Sequence, residues 1–168
     1  MARQLAFMIH GDNYRPDIII AIARGGYTPA RILSDYLGVM DMTSFKVKHY
    51  KSKEKEPIAV IEHPLADDVS GQKILLVDDV SDTGDTFEVA IEHINERTNP
   101  AEVRTAVLHH KIVSRYKPDY YIREVKEWHW ITYPWAVIED MTAYIDKIEP
   151  PPTCAEDVAI KLRTEYSI

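Results

Sequence analysis

Short apolar runs alternate along this chain with longer segments in which apolar residues recur at helical spacing. Ile18–Ala23 and Lys73–Asp78 are dominated by apolar residues without polar alternation, which is typical of strands buried on both faces of a parallel sheet. Over about Asp85–Asn95 the apolar residues recur at i, i+3, i+4 and i+7, which predicts a helix. Strands that alternate with helices indicate an α/β domain with a mostly parallel central sheet.

Weaker patterns complete the predicted α/β domain. Thr28 and Pro29 have the residue types of an N-cap and a first helical position, and the helix they open should run to about Leu37 and stop at Gly38. Another helix is expected to begin almost at Met1. Further strands are predicted at Thr43–Tyr50, Ile58–Glu62, Glu102–Leu108 and Asp119–Glu124.

Two polar or proline-rich segments divide the chain. Lys51–Pro57 lies between two predicted strands and is expected to form a mobile loop within a hairpin. Pro150–Pro152 predicts a stiff spacer, and Thr153 with Glu156 has the spacing of a capping box for a last helix. We therefore expect one domain over residues 1–148 and a C-terminal tail with a short helix over residues 149–168.

The composition is that of an ordinary folded domain, with 168 residues, 45% hydrophobic and 28% charged. The chain lacks both a run of about 18 apolar residues and a basic-then-apolar leader, so neither a membrane span nor a signal peptide is expected. The single cysteine, Cys154, can form no internal disulfide, and these features together favour the cytoplasm. The formal net charge of -7 argues against general nucleic-acid binding.

The segment Ile74–Thr86 combines a buried strand, an acidic pair and a turn that opens a helix. In an open parallel sheet, ligands bind beyond the carboxyl ends of the strands, and Asp78 and Asp79 emerge together at such an end. Two adjacent carboxylates suit a ribose diol or a hydrated divalent cation. Ser81–Thr86 leads into a helix whose first N–H groups are unpaired, which suits a phosphate monoester, and Gly84 allows close approach. The alternative is an N-cap turn with solvated acids.

Two further segments are candidates for contacts with an anion. Arg24–Gly26 follows a buried strand, where glycine N–H groups can face an anion and the arginine adds a charged donor. A simple tight turn is the alternative for this segment. The candidates for closing over the anion and excluding water are Lys48, Tyr50, Lys51 and Lys53. A solvated, charge-balanced loop is the alternative for these four residues.

A lysine and an aromatic run are candidates for contacts with a planar ligand. Lys111 follows the strand Val103–His109 and is expected at the same rim as the acidic pair. Trp128–Trp135 holds aromatic side chains that either line a pocket or fill a core. His109 and His110 should point to opposite faces of a strand, and the sequence has neither zinc-ligand spacing nor the glycine loops of triphosphate or dinucleotide sites.

The order of strand, acidic pair, turn and helix resembles the phosphoribosyl-pyrophosphate fingerprint of the type I phosphoribosyltransferases, and the resemblance extends to about Ile148. Lys111, Pro118–Tyr121 and the Trp-Ile-x-x-Pro-Trp run from Trp130 are similar to microbial xanthine-guanine and hypoxanthine-guanine members, especially the short archaeal-type ones. The resemblance implies an α/β type I phosphoribosyltransferase fold, with a mostly parallel central sheet flanked by helices, a small hood and a C-terminal helical tail.

The resemblance implies a role for each rim residue of the donor site. Asp78 and Asp79 would hold the ribose hydroxyls, directly or through metal-bound water. Arg24–Gly26 would form the pyrophosphate loop, with a non-proline cis peptide at Arg24–Gly25. The 5′-phosphate loop would consist of Asp82, Thr83, Gly84, Asp85 and Thr86. Asp85 is tolerated in such a loop only if its carboxylate points outward.

The same resemblance assigns the base site. Lys111 would donate to O6 of a 6-oxopurine, Trp130 would stack on the ring, and the Ile131 backbone would contact its edge. An ammonium group carries donors only, so it matches a 6-oxo group and leaves the 6-amino group of adenine unmatched. Relatives commonly have an acidic residue directly after the Pro-Trp pair, where this chain has Ala136. This difference leaves open whether xanthine, guanine or hypoxanthine is preferred.

The implied reaction is Mg²⁺-dependent transfer of ribose 5-phosphate from phosphoribosyl pyrophosphate to N9 of a 6-oxopurine. Asp82 would accept the N7 proton, while Mg²⁺, Arg24 and the loop lysines, Lys48 among them, would stabilise the departing pyrophosphate. The alternatives are an enzyme of the same fold for another base and a non-catalytic sensor of phosphoribosyl pyrophosphate or a nucleotide. The resemblance also implies a homodimer or homotetramer, with the tail after Pro152 as a plausible contact.

Overall fold

The structure, a computed structural model, describes residues 1–50 and 58–166. Its helices are α1 (Ala2–Gly11), α2 (Tyr27–Leu37), α3 (Asp85–Arg97), α4 (Val137–Ile145) and α5 (Ala155–Tyr166). Its strands are β1 (Ile18–Ala23), β2 (Met42–Tyr50), β3 (Ile58–His63), β4 (Lys73–Val77), β5 (Val80–Ser81), β6 (Glu102–Lys111) and β7 (Tyr120–Val125). The chain forms two compact units, Met1–Trp128 and His129–Ile168. Within residues 1–50 and 58–166, no helix is long and apolar enough to cross a membrane.

The first unit is built on a seven-stranded sheet in which β3, β2, β1, β4 and β6 are successive neighbours. The short β5 pairs with β6 beyond the end of β4, and β7 pairs with the other edge of β6. All pairs in the described residues are parallel except the β2–β3 hairpin, which is antiparallel. The mostly parallel α/β sheet predicted from the sequence is therefore confirmed.

Helices cover both faces of this sheet. On one face, the α3 residues Phe87, Ala90 and Ile94 pack in one cluster with alternate strand residues such as Ile20 and Leu76. On the other face, α1 packs against α2 and also contacts β6 and β7. Burial on both faces explains why β1 and β4 carry continuous apolar residues, with Ile19, Ile20, Leu75 and Leu76 fully buried.

The predicted strand positions are confirmed to within about three residues, but several ends differ. The β6 strand runs to Lys111, because its last residues pair with β5 and β7. The prediction of Thr28 as an N-cap is wrong. The α2 helix begins at Tyr27 after Gly26, whose carbonyl accepts the Ala30 N–H at 2.9 Å and so closes the first turn. Gly38 ends the helix in the left-handed conformation, as predicted.

The second unit contains α4, which the sequence analysis did not predict, and α5. The predicted capping box of Thr153 and Glu156 is wrong, since α5 begins at Ala155. The Thr153 N–H instead donates to the Asp157 carboxylate at 3.1 Å. The predicted loop Lys51–Pro57 lies outside the described residues, and the predicted domain boundary near residue 148 stays a prediction.

Candidate active site

The carboxyl ends of three parallel strands bring the predicted donor-site segments to one edge of the sheet. Ala21 of β1 is paired with Val77 of β4, and Val77 is in turn paired with Ala106 of β6. The loop after β1 and the acidic pair after β4 therefore start side by side. The β6 strand continues beyond this level to Lys111 and supports the loop that follows β4.

The loop after β1 lies directly against the acidic pair. A Cβ atom on Gly25 would come within 2.7 Å of the Asp79 carboxylate, and one on Gly26 would meet the Val77 and Ile22 carbonyl oxygens. Both positions therefore require glycine because of close approach. The non-proline cis peptide is Ala23–Arg24, one bond before the predicted Arg24–Gly25, so that prediction is wrong. The loop departs from the β1 strand at its last residue instead of after the arginine.

Asp78 and Asp79 form an adjoining pair at the end of β4. The Asp79 side chain is buried, and the Asp79 N–H donates to the Asp78 carboxylate at 2.9 Å. The backbone is held by β6, since the Asp78 N–H donates to the Ala106 carbonyl and the Asp79 carbonyl accepts the Leu108 N–H. Burial, together with the neighbouring Asp79 carboxylate, raises the pKa of Asp78 well above its usual value. Two crowded carboxylates of this kind are relieved by a bound cation or by hydroxyl donors.

The predicted phosphate loop bends sharply at Gly84, which has a φ of +99° and is the N-cap of α3. A Cβ at this position would also come within 2.5 Å of the Tyr116 nitrogen. Both the left-handed conformation and the close approach therefore favour glycine. The Phe87 and Glu88 N–H groups donate to the Gly84 carbonyl, so the Asp85 and Thr86 N–H groups are the candidates for a phosphate group at this helix end.

Asp85 is accommodated in this loop by local partners. The Thr83 hydroxyl donates to the Asp85 carboxylate at 3.0 Å, and the Arg115 guanidinium lies 3.9 Å from the same carboxylate. These contacts hold the Asp85 carboxylate on Thr83 and Arg115, while the Asp85 N–H stands at the first position of α3.

The segment after β6 supports the phosphate loop from behind, and the sequence analysis did not identify this role. The Ser81 and Ser114 hydroxyl oxygens are 2.7 Å apart, and they lie 3.1 and 2.9 Å from the Tyr116 carbonyl oxygen. The Arg115 N–H donates to the Thr83 carbonyl at 2.8 Å. Serines in turns are ordinary in solvated loops, so nothing in the local sequence distinguishes these two.

Three side chains meet where the predicted base site begins. The Lys111 side chain is only 3% exposed, and its Nζ lies 3.0 Å from Oδ1 of Asp82. The Trp128 indole Nε1 donates to the same Asp82 oxygen at 3.1 Å. The Lys111 Nζ also lies 4.6 Å from the centre of the Trp128 ring. The structure thus joins Asp82 to Lys111, and it adds Trp128, to which sequence reasoning gave no specific role.

The β2–β3 hairpin approaches the phosphate loop through a residue that was not predicted. On one face of β2, Lys48 pairs with Glu62 at 2.9 Å, next to a Lys46–Glu62 pair at 2.6 Å. Hydrogen bonds from Lys46 and then Lys48 lower the pKa of Glu62 to about 2. On the other face, His49 Nε2 lies 3.0 Å from the Thr86 hydroxyl. The predicted Lys51 and Lys53 lie outside the described residues.

The other predicted base-site residues belong to the second unit. Trp130 is 53% exposed and Ile131 is half-buried, both in the extended segment before α4. In the same segment the Tyr133 and Trp135 rings stack at 4.9 Å between centres. Ala136, the residue that departs from the resemblance, is the N-cap of α4. The roles predicted for Trp130 and Ile131 stay predictions.

Comparison with protein families decides the membership of this chain. Residues 1–140 match the model of the phosphoribosyl transferase domain. The chain belongs to this family. That match covers the strand ends, the acidic pair, the phosphate loop and Lys111, so the structure and the family assignment refer to the same part of the molecule.

Individual phosphoribosyltransferases resemble the chain over most of its length. It is 35% identical over 138 residues to the xanthine-guanine phosphoribosyltransferase of Cereibacter sphaeroides, covering 80% of this chain and 79% of that protein. The purine phosphoribosyltransferase from Pyrococcus horikoshii has a TM-score of 0.68 and 36% identity, over 80% of this chain and 87% of that one. A Neisseria gonorrhoeae protein with bound ppGpp has a TM-score of 0.70 and 27% identity, over 80% and 81%. The fold is that of the type I phosphoribosyltransferases, as the sequence resemblance implied.

Proposed function

We propose that this phosphoribosyltransferase transfers ribose 5-phosphate from phosphoribosyl pyrophosphate to N9 of a 6-oxopurine and releases pyrophosphate. The observation that carries the proposal is the 3.0 Å pair of Asp82 and Lys111, which lies beside the phosphate loop. A 6-oxopurine carries O6 and a ring N7–H next to each other, and these match the lysine donor and the aspartate acceptor. The named relatives are purine phosphoribosyltransferases, which supports an enzyme of purine salvage.

The donor would be held by three neighbouring elements. Asp78 and Asp79 suit the two ribose hydroxyls, because both carboxylates emerge at the end of β4. The loop from Asp82 to Thr86 suits the 5′-phosphate, since it ends in the first turn of α3. Arg24, Gly25 and Gly26 suit the pyrophosphate, because the arginine supplies a charged donor and Gly25 lies directly against the acidic pair that would hold the ribose and the metal ion.

A magnesium ion fits the chemistry of the acidic pair. Among the described residues no cluster of three or more histidine, cysteine or carboxylate side chains is arranged to hold a metal. Asp78 and Asp79 would therefore hold an ion that keeps most of its ligands as water or as oxygens of the donor, which is the usual habit of Mg²⁺. When bound, the ion supplies positive charge for the pyrophosphate leaving group.

Catalysis in this proposal depends on position and charge. Breaking the C1–O bond of the donor leaves an oxocarbenium-like sugar, and the purine must lie in line with it. Asp82 accepts the N7 proton as N9 attacks, while Lys111 holds O6. Arg24 lies beside the pyrophosphate. Lys48 is the second candidate for that charge, and it would exchange its contact with Glu62 for one with the leaving group.

A panel of free bases tests the proposal directly. The protein is incubated with Mg²⁺, phosphoribosyl pyrophosphate and xanthine, guanine, hypoxanthine or adenine, and both nucleotide and pyrophosphate are measured. We expect product with at least one 6-oxopurine and far less with adenine. Lys111→Ala should lower kcat/KM for the 6-oxopurines by about tenfold to a hundredfold. A protein that uses adenine as well as the 6-oxopurines would contradict the assignment.

A nucleotide sensor is the second candidate, and one observation favours it. The Neisseria gonorrhoeae neighbour has bound ppGpp, at 27% identity to this chain. A sensor would bind phosphoribosyl pyrophosphate or a purine nucleotide in the same cleft without turning it over. Pyrophosphate release separates the two candidates, since a sensor would bind nucleotide in calorimetry but release none.

Assembly and location complete the proposal. We infer a homodimer or homotetramer, with the tail after Pro152 as a candidate contact, and light scattering of the full chain tests this assignment. Removal of residues 153–168 should lower the number of subunits per particle if the tail joins subunits. A cytoplasmic location agrees with the single cysteine of the chain and with the salvage reaction of its relatives.

A further inference from the structure

Trp128 contacts both side chains that the proposed function assigns to the purine base. Its indole is a fused bicyclic ring whose N–H donates to Oδ1 of Asp82 at 3.1 Å. The same ring lies 4.6 Å from Lys111 Nζ. A 6-oxopurine is also a fused bicyclic ring, and its five-membered ring carries an N7–H group. The proposed function assigns this N7–H to Asp82 and O6 to Lys111. Trp128 and the base therefore share their protein partners.

We propose that Trp128 is an internal competitor for the base site, whose indole must leave Asp82 and Lys111 before a 6-oxopurine can bind them. This inference rests on the proposed function. It assigns to Trp128 the control of base affinity, and it differs from the stacking role that the family resemblance gives to Trp130.

The burial of Lys111 limits the space for a second partner at its Nζ. The lysine side chain is 3% exposed, and its Nζ has the Asp82 carboxylate at 3.0 Å and the indole face at 4.6 Å. An O6 atom needs about 2.8 Å to the nitrogen, so it requires the space next to Nζ that the indole now borders. Asp82 Oδ1 already accepts from both Lys111 and Trp128, so an added N7–H donor would crowd that oxygen.

The position of Trp128 in the chain allows it to move. Its side chain is 61% exposed, so little apolar area is lost when the indole leaves its partners. The residue lies three positions after the end of β7, outside any helix or strand. The contacts with Asp82 and Lys111 are thus the main restraint on the indole ring. The net strength of these two contacts sets how much the affinity for the base is reduced.

Replacement of the indole tests the competition. Trp128→Phe keeps an aromatic ring but removes the N–H, and calorimetry with guanine and hypoxanthine should show binding that is about threefold to tenfold tighter. The KM for the base should fall by the same factor, and the KM for phosphoribosyl pyrophosphate should not change. Tyr36→Phe is the control, since it also removes a ring-borne donor from an exposed aromatic side chain, near the end of α2, and should leave base affinity unchanged.

A measurement on the wild-type protein gives an independent test. Base binding should release the Trp128 indole, so the base-induced change in acrylamide quenching should be more positive in the wild type than in Trp128→Phe, where Trp130 and Trp135 alone contribute. Equal or weaker base binding by Trp128→Phe, or a base-induced change in quenching that is the same in wild type and variant, overturns the inference alone. If neither wild type nor variant binds any 6-oxopurine, the proposed function fails instead.

Discussion

Gly25 and Asp79 are in such close contact that the glycine leaves no room for a side chain. A Cβ atom on residue 25 would come within 2.7 Å of the carboxyl carbon and of both carboxylate oxygens of Asp79. The loop after β1 and the acidic pair after β4 therefore pack together, although Gly25 and Asp79 are 54 positions apart in the sequence. A shift of the Asp79 carboxylate therefore requires the loop after β1 to move with it.

Gly25→Ala should impair donor binding because the added methyl group must displace the Asp79 carboxylate. We expect kcat/KM for phosphoribosyl pyrophosphate to fall by roughly tenfold to a hundredfold, as small displacements of catalytic groups do. Gly11→Ala is the matched control, since a Cβ there meets no atom within 4 Å. Steady-state kinetics at saturating base measures both variants, and wild-type kinetics in Gly25→Ala would contradict the packing argument.

Asp82→Asn should separate chemistry from donor binding. The amide cannot accept a proton as the carboxylate does, so we expect kcat to fall by about a hundredfold or more. The donor Kd, measured by calorimetry with Mg²⁺, should change little, because the Asp82 side chain contacts Lys111 and Trp128 and lies next to the base site. Equal losses in kcat and donor affinity would remove the assignment of Asp82 as the base.

Ser114→Ala should weaken the donor site through the shape of the phosphate loop. The Ser114 hydroxyl oxygen lies 2.7 Å from the Ser81 hydroxyl oxygen and 2.9 Å from the Tyr116 carbonyl oxygen. Tyr116 in turn packs against Gly84. Loss of about 1 kcal/mol of support predicts a KM for phosphoribosyl pyrophosphate that is roughly fivefold higher, with the base KM unchanged.

Ser70→Ala provides the control for Ser114→Ala. The Ser70 hydroxyl donates to Asp68 at 2.6 Å and accepts the Asn99 N–H, near the amino end of β4 and away from the phosphate loop. Its loss should lower stability in urea without an effect on either KM. A parallel rise of both KM values in Ser114→Ala would indicate a general loss of structure.

His93 should make the stability of the protein depend on pH. Its Nε2 accepts the Leu65 N–H at 3.0 Å, and burial, then the charge of Arg97, lowers the pKa of His93 below its usual value, against an opposing effect of Glu96. The unfolded chain therefore takes up this proton at a higher pH than the folded chain. The stability contribution is present above the unfolded pKa of about 6.5 and is lost as the pH falls below it.

Urea unfolding at about pH 7.5 and about pH 5.5 measures this dependence. His93→Gln keeps an acceptor but does not titrate, so its free energy of unfolding should fall less between the two conditions than that of the wild type. Groups other than His93, including His110 with its lowered pKa, titrate in both proteins and cancel in the comparison. An identical pH dependence in both proteins would rule out a contribution from His93.

Features that depend on neighbouring residues could be predicted from the sequence. The buried strands Ile18–Ala23 and Lys73–Val77 follow from continuous apolar residues, and the places of the acidic pair and of the turn into α3 follow because strand, turn and helix are adjacent in the chain. The joining of Asp82 to Lys111 was implied only by the family resemblance, since 29 positions separate them, from 82 to 111.

Contacts between distant segments could not be predicted in this way. Trp128 reaches Asp82 across 46 positions, His49 reaches Thr86 across 37, and Ser114 reaches Ser81 across 33. Each depends on how loops from different strands meet, and no local pattern encodes that. The prediction of Thr28 as an N-cap was wrong for a related reason. The close approach of Gly26 to the sheet decides where α2 begins.

The support of the phosphate loop by the segment after β6 has a consequence for biosynthesis. The ribosome delivers residues 78–86 before Ala106, Arg115 and Tyr116, to which this loop is bonded or packed. A nascent chain that ends before β6 carries the complete fingerprint but lacks the backbone that shapes it. Domains tend to fold as units once their partners have emerged, so donor binding should begin only after about residue 116 has left the exit tunnel.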